Sequence, residues 1–251
     1  MKKTLLNLAI MGTLVVASNV ALADCTALPN HADLQAALAD AQSAGNGGFG
    51  LHMWATIVDR DGIVCAVAFT GANRGSQWPG SRVISAQKAN TANAFSLDGL
   101  ALSTANLYTA VQPGGTLFGL QESNPVDTAA AYNGPSSNYG QANDPLVTHK
   151  IGGVNVFGGG LALYDASKKV IGAIGVSGDS SCADHNIAWR TRAALALDHV
   201  PGGVSGDNLR PDNIVYDIKK TEEVVVSKSG WGHPSCSVAA KTIAATLIPT
   251  Q

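Results

Sequence analysis

Residues 170–192, VIGAIGVSGDSSCADHNIAWRTR, decide the reading of this chain. A Gly-rich apolar strand passes through a tight Gly/Asp/Ser turn directly into a helix, so a sheet and a packed helix are joined with almost no linker. Ser181 is predicted as the helix N-cap with Asp184 three residues on, leaving first-turn amides near any adjacent cleft. With a period of 3.6, Ile187, Ala188, Thr191, Ala194 and Leu195 make the core stripe, while His185, Trp189 and Arg192 share a second face. That helix has two faces to bury or to use.

The pattern extends outward in both directions. Asn30 is predicted to cap a helix running through Ser43, with Leu34, Ala37, Leu38 and Ala41 on one side and Gly45 ending it. A hairpin follows, Trp54 to Val58 and Ile63 to Phe69 around Asp59-Arg60-Asp61-Gly62. A second hairpin of the same design pairs Leu161–Tyr164 with Val170–Val176. The segments 64–71 and 171–178 read as a weak internal repeat within one sheet. Between the hairpins the pattern gives a helix over 81–98 closed by Gly99, a shorter one over 103–111, and a Gly/Pro/Asn/Ser-rich loop over 112–150, a length that in a compact domain marks function or an interface arm. An apolar stretch at 223–226 and the run Gly230 to Cys236 lie in a C-terminal extension, 199–251. The class is α/β in α+β layers, with about five antiparallel or mixed strands and helices packed on them.

Lys2 and Lys3, an apolar run from Leu5 to Val20 and Ala21-Leu22-Ala23 predict a secretory signal peptide over 1–23, hence a periplasmic or secreted protein. Asp24 before Cys25 argues against lipidation, and no later segment is long enough to span a bilayer. Residues 24–251 are read as one domain. Without the two signal lysines the charges are 14 basic against 18 acidic and scattered, which excludes nucleic acid and anionic membrane as expected partners. The cysteines, Cys25, Cys65, Cys182 and Cys236, favour two disulfides. Three connectivities are open; Cys25 with Cys65 and Cys182 with Cys236 is preferred, the second stapling the tail to the helix of His185.

Several side chains could carry chemistry. Lys88 falls on a semi-apolar stripe with Ile84, Thr91 and Phe95, where it either holds a carboxylate-bearing ligand, with Arg82 near the helix start, or snorkels to solvent. None of the six histidines is paired at metalloprotease spacing. His185 at a helix start suits ligand contact, or a capping or interface role; a helix N-terminus favours the neutral imidazole that ligates iron. His149 precedes Gly152-Gly153, where backbone can approach a flat ligand closely. His31 and His52 read as structural or surface groups, His199 and His233 as weaker candidates. Gly-x-Ser-Gly-Asp around Ser177 and Ser205 departs from the nucleophile elbow and reads as turns.

The order of elements, with Ala86-Gln87-Lys88-Ala89, Thr91-Ala92 and Phe95 in the second long helix and Val170 to Gly178 in the last strand, resembles the GlcG/HbpS-like, or haem-degrading domain, family from about Asn30 to Asp198. The resemblance implies a profilin-like domain, haem as a cofactor in at least some members, and a homo-oligomer. Where many members carry a proline-containing run after the double glycine, this chain has Val154-Asn155-Val156, so a reshaped pocket is expected. Three functions compete. In the leading one an exported protein sequesters, senses or slowly degrades haem, with His185 or His149 on iron and Lys88 and Arg82 on the propionates. In the second, an enzyme acts on a small carboxylate or carbonyl substrate, Lys88 holding the anion and His185 moving the proton. In the third, a non-catalytic oligomeric module buries His185 and Trp189 between subunits.

Overall fold

The computed structural model describes residues 24–220 and 225–251. The predicted signal peptide and the first residues of the predicted 223–226 stretch lie outside them. Four strands, β1 (Trp54–Asp59), β2 (Val64–Phe69), β3 (Gly160–Tyr164) and β4 (Val170–Ser177), form one antiparallel sheet in the order β2-β1-β4-β3. Both predicted hairpins are present, joined through β1 and β4 in the middle.

The main sheet therefore has four strands, not five. Irregular chain occupies both edges instead. At β2 the Val64 N–H donates to His149 O and the Thr148 N–H to Val64 O. At β3 the Tyr164 N–H donates to Leu197 O, beside a single bridge to Asp198. These few bonds cover one end of each edge strand without another strand. A further pair, β5 (Ile218–Lys220) with β6 (Val225–Ser227), stands apart in the C-terminal extension.

Helices cover both faces. α1 (His31–Ser43), α4 (Ser181–Ala194) and α5 (Val238–Ala245) lie on one, where Leu34, Leu38, Ile57, Leu161, Ile174, Val176, Ile187 and Trp189 form the larger core. α2 (Ser81–Phe95) and the long loop, with its one-turn α3 (Thr128–Ala131), cover the other, closing on Trp54, Val58, Val67, Ala173 and Leu146. Neighbours Ile57 and Val58 thus enter different cores, as the two-residue strand period requires. The repeat of 64–71 and 171–178 sets β2 on an edge and β4 in the centre, and their following helices fall on opposite faces.

The N-cap of α1 is Asn30, in a capping box with Asp33. α2 stops at Phe95, three residues before the predicted end, because Ser96 turns extended and its hydroxyl takes the Leu102 N–H. The predicted 103–111 helix is two 3-10 turns, Thr104–Leu107 and Thr109–Val111. Both preferred disulfides are formed, Cys25–Cys65 and Cys182–Cys236. No described helix is long and apolar enough to cross a membrane.

The contact between α2 and β4 is made by absence of side chain. A Cβ on Gly175 would fall on Ser85 O and Ala89 N of α2, so backbone packs on backbone, with Ala86, Ala89 and Ala92 completing the seam. Gly175→Ala is expected to lower the unfolding free energy by about 3 kcal/mol, since neither backbone can yield without opening the layer. Urea denaturation measures it; a change within ~0.5 kcal/mol, the range of an indifferent surface substitution, would contradict this packing.

Candidate functional site

The β4–α4 junction is built by its own polar groups. The Asp179 carboxylate accepts the backbone N–H of Phe49, Leu51 and Ser180, tying the 49–51 segment to the turn. The N-cap of α4 is Ser180, one residue before the predicted Ser181, and its hydroxyl takes the Ala183 N–H. Asp184 is not part of a capping box: its Oδ1 accepts the Asp179 N–H at 2.8 Å and its Oδ2 faces Lys88.

Lys88 is wholly buried. Its Nζ donates to Asp184 Oδ2 at 2.7 Å and to Val176 O at 2.9 Å, linking helices on opposite faces of the sheet past the end of β4. Burial pulls the Lys88 ammonium below its usual range and pushes the Asp184 carboxyl up to about 6, each partly offset by the other's charge. At this separation with charge-assisted hydrogen bonds, the pair is an ion pair at neutral pH.

Arg82 is also buried. Its Nε and Nη2 grip the Asp144 carboxylate, its Nη1 donates to Ala131 O, and its guanidinium lies 3.7 Å from the Tyr139 ring centroid. Asp144 further accepts the N–H of Gly140 and Leu146, so this one arginine pins the long loop onto α2. Above it a cavity of about 310 Å³ is lined by Trp54, Arg74, Val83, Tyr132 and Tyr139.

His185 has no exposed surface. Its Nε2 lies 3.1 Å from both Asn213 Oδ1 and Ile214 N, and its Nδ1 is buried without a partner among the described residues. Desolvation lowers its pKa to about 4, so the ring is neutral. The C-terminal extension seals it: Trp189 Nε1 donates to Ile248 O, and Arg192 makes a two-pronged pair with Asp212. The second face of α4 predicted from periodicity is therefore real and is covered within the chain.

His149 lies elsewhere, exposed beside the β2 edge, and its carbonyl accepts the Val64 N–H. Three residues on, Gly152 and Gly153 have φ of +63° and +80° and wall a groove of about 410 Å³ with Phe95, Leu120, Pro125 and Val154. The structure brings together Lys88 and the α4 start, but not His149 with His185.

Sequence reading missed the importance of His233. It is buried, its Nε2 is 2.8 Å from Ser181 Oγ, its Nδ1 is 2.7 Å from Pro234 O, and its ring packs against Tyr108 at 5.0 Å between centroids, tilted by 57°. Burial lowers its pKa to about 4. Cys236 three residues on was the available signal, since its bond to Cys182 carries His233 to the start of α4. The acidic partners Asp144 and Asp212, far off in sequence, left no local pattern.

Against this geometry, a family model described as haem degrading protein HbpS-like matches residues 30–193. The chain belongs to the HbpS-like family. Among solved structures, the HbpS-like chain is similar to protein ORFY of Klebsiella pneumoniae, at 23% identity over 67% of this chain and 90% of that one, TM-score 0.45. It is also similar to a PduOC:haem complex, 24% identical over 67% and 94%, TM-score 0.46, and to HbpS, 15% identical over 74% and 99%, TM-score 0.43. No curated protein matches. The matched region of the HbpS-like chain ends within α4, so the extension that covers His185 lies beyond it.

Two outcomes test these assignments. Asp184→Asn leaves a buried ammonium without its counter-charge and is expected to cost about 3–5 kcal/mol in urea unfolding. For acid, the unfolded histidine titrates near 6.5 and the folded His185 and His233 near 4. The unfolded chain binds the extra protons, so each ring removes stability as pH falls through that window, on the order of 3 kcal/mol. Asp184, raised from 3.8 to about 6, and Asp198, also raised by burial, act in the opposite sense, while the lowered carboxyls of Asp24, Asp98, Asp207 and Asp217 act with the two rings. Stability is expected to drop between pH 6.5 and 4, with a shallower slope in His185→Gln; a flat profile would refute the neutral buried rings.

Proposed function

We propose that this chain is an exported haem-binding protein that takes haem in the groove where α2 meets the double-glycine segment. The observation carrying this reading is membership of the HbpS-like family over the residues that form the groove. The groove's chemistry fits a flat apolar ligand: Phe95, Leu120, Pro125 and Val154 supply apolar surface, and the glycines let backbone approach the ring face. His149 and Lys150, both exposed at one end of the Gly152-Gly153 segment, supply an imidazole for iron and a cation for a propionate. When bound, haem would supply redox chemistry; the chain binds, orients and shields it.

The other expected residues enter this reading only with rearrangement. His185 ligates iron if residues 212–214 withdraw, and Lys88 and Arg82 reach propionates only by releasing Asp184 and Asp144. Export is supported by the signal-peptide pattern and by two disulfides with no free cysteine among the described residues. A homo-oligomer belongs to the same proposal, and light scattering reads it out. A second reading, a small planar carboxylate, is favoured at one place: the exposed Arg74 cation borders the aromatic cavity of Trp54, Tyr132 and Tyr139.

Absorbance titration of the oxidised protein with haemin tests the proposal. A saturable Soret shift is expected, weakened at least tenfold in His149→Ala and unchanged in His185→Ala. Loss in His185→Ala alone would move the iron under the extension, and no saturable shift in the folded protein would overturn haem binding.

A further inference from the structure

Ser181 and His233 form a pair that neither fold nor haem binding accounts for. Ser181 is the first residue of α4, directly after the β4 turn, and half-buried. Its Oγ accepts the Gly158 N–H at 2.7 Å and lies 2.8 Å from His233 Nε2. The tautomer follows from the other nitrogen. Pro234 O can only accept, so the proton of the neutral ring sits on Nδ1 and the Nε2 lone pair faces the hydroxyl. Ser181 therefore donates to His233. The imidazole is held by a backbone carbonyl on one side and by the tilted Tyr108 ring on another, and the segment bearing it is fastened to the next residue of α4 by Cys182–Cys236. This is the arrangement of an activated nucleophile: a hydroxyl, a base within hydrogen-bond reach, and a third group orienting the base.

We propose that Ser181 and His233 constitute a second, catalytic site that hydrolyses carboxylic esters bearing an anionic group, with Ser181 as nucleophile and His233 as base. The substrate class follows from the neighbouring space. A cavity of about 400 Å³ opens on the His233 side of the pair, lined by the His233 ring with Tyr216, Ile218 and Pro234 and not by Ser181, with the Lys241 ammonium 6.0 Å from the Tyr216 ring centroid. Small apolar groups suit those walls, and an anion suits Lys241. In the first half-reaction Ser181 Oγ bonds to the ester carbonyl carbon while its proton passes to His233 Nε2. The carbon–alkoxide bond breaks, and the departing alcohol takes that proton. Water, the co-reactant, then attacks the acyl-enzyme, giving one proton to His233 and releasing the carboxylic acid as Ser181 regains a proton. The Gly158 N–H bonded to Oγ fixes the position of the nucleophile beside His233, while the negative charge of the tetrahedral intermediate develops on the substrate carbonyl oxygen.

The test uses the full oxidised protein and a fluorophosphonate probe, with the labelled residue mapped by mass spectrometry. Stoichiometric labelling of Ser181 is expected, absent in Ser181→Ala and slowed about 100-fold in His233→Gln, the usual lower bound for loss of a positioned base. Near-ultraviolet circular dichroism certifies that each variant is folded. No labelling of Ser181 in the folded protein, or an unchanged rate in folded His233→Gln, would overturn the proposal and leave the pair as an anchor for the tail. Should His233→Gln not fold, the position of the label in the native chain and its absence in Ser181→Ala decide alone. The readout needs no haem, so its failure is independent of the haem reading.

Discussion

The Lys88–Asp184 pair is the constraint around which the layers are arranged. One partner comes from the helix below the sheet and the other from the helix above it, and they meet just past the last residues of β4. A cation and an anion removed from water tolerate little error in position, because each is compensated only by the other and by a few hydrogen bonds. The pair accordingly requires α2 to approach the sheet closely, which Gly160 and Gly175 permit, and requires the β4–α4 turn to be tight, which Gly178 with φ of +155° permits. The glycines of the deciding stretch and the lysine of the second helix are thus parts of one arrangement.

Two further buried ion pairs divide the remaining work. Arg82 with Asp144 attaches a long irregular loop to the α2 side, and Arg192 with Asp212 attaches the C-terminal extension to the α4 side. Each ties a segment with little regular structure to a helix, where hydrophobic area alone would specify register poorly. Buried, bidentate arginine pairs add geometric specificity as well as energy. Three cations that composition alone would assign to a solvated surface lie inside the protein, which leaves the exposed Arg74 as the cation bordering the aromatic cavity.

The fold was legible where short-range periodicity carries it. Both hairpins, the Asn30 cap and the two faces of α4 could be read from spacing; the cysteine pairing that forms is the preferred one of three that spacing leaves open. The fifth strand was not, because irregular chain can satisfy a sheet edge with two or three hydrogen bonds, and such segments have no alternating pattern. The site was less legible. His185 was placed correctly on a second helix face, yet periodicity says only that a face is covered and not by what; the covering residues, Asp212 to Ile214, lie some 30 positions further on. Ser181 was read as a cap because neighbouring serines at a helix start are alike in sequence; with Ser180 as the cap, the Ser181 hydroxyl is left to meet Gly158 and His233 instead.

The Cys182–Cys236 crosslink also sets an order of events. A chain exported as proposed, N-terminus first into an oxidising compartment, would present Cys25, Cys65 and Cys182 before Cys236. During that interval Cys182 is a thiol without its partner, on a helix whose second face is still bare. Correct pairing then depends on how early the first hairpin and α1 bring Cys25 to Cys65. The order of the sequence, with the whole sheet preceding the tail, lets that first bond close before the last cysteine arrives.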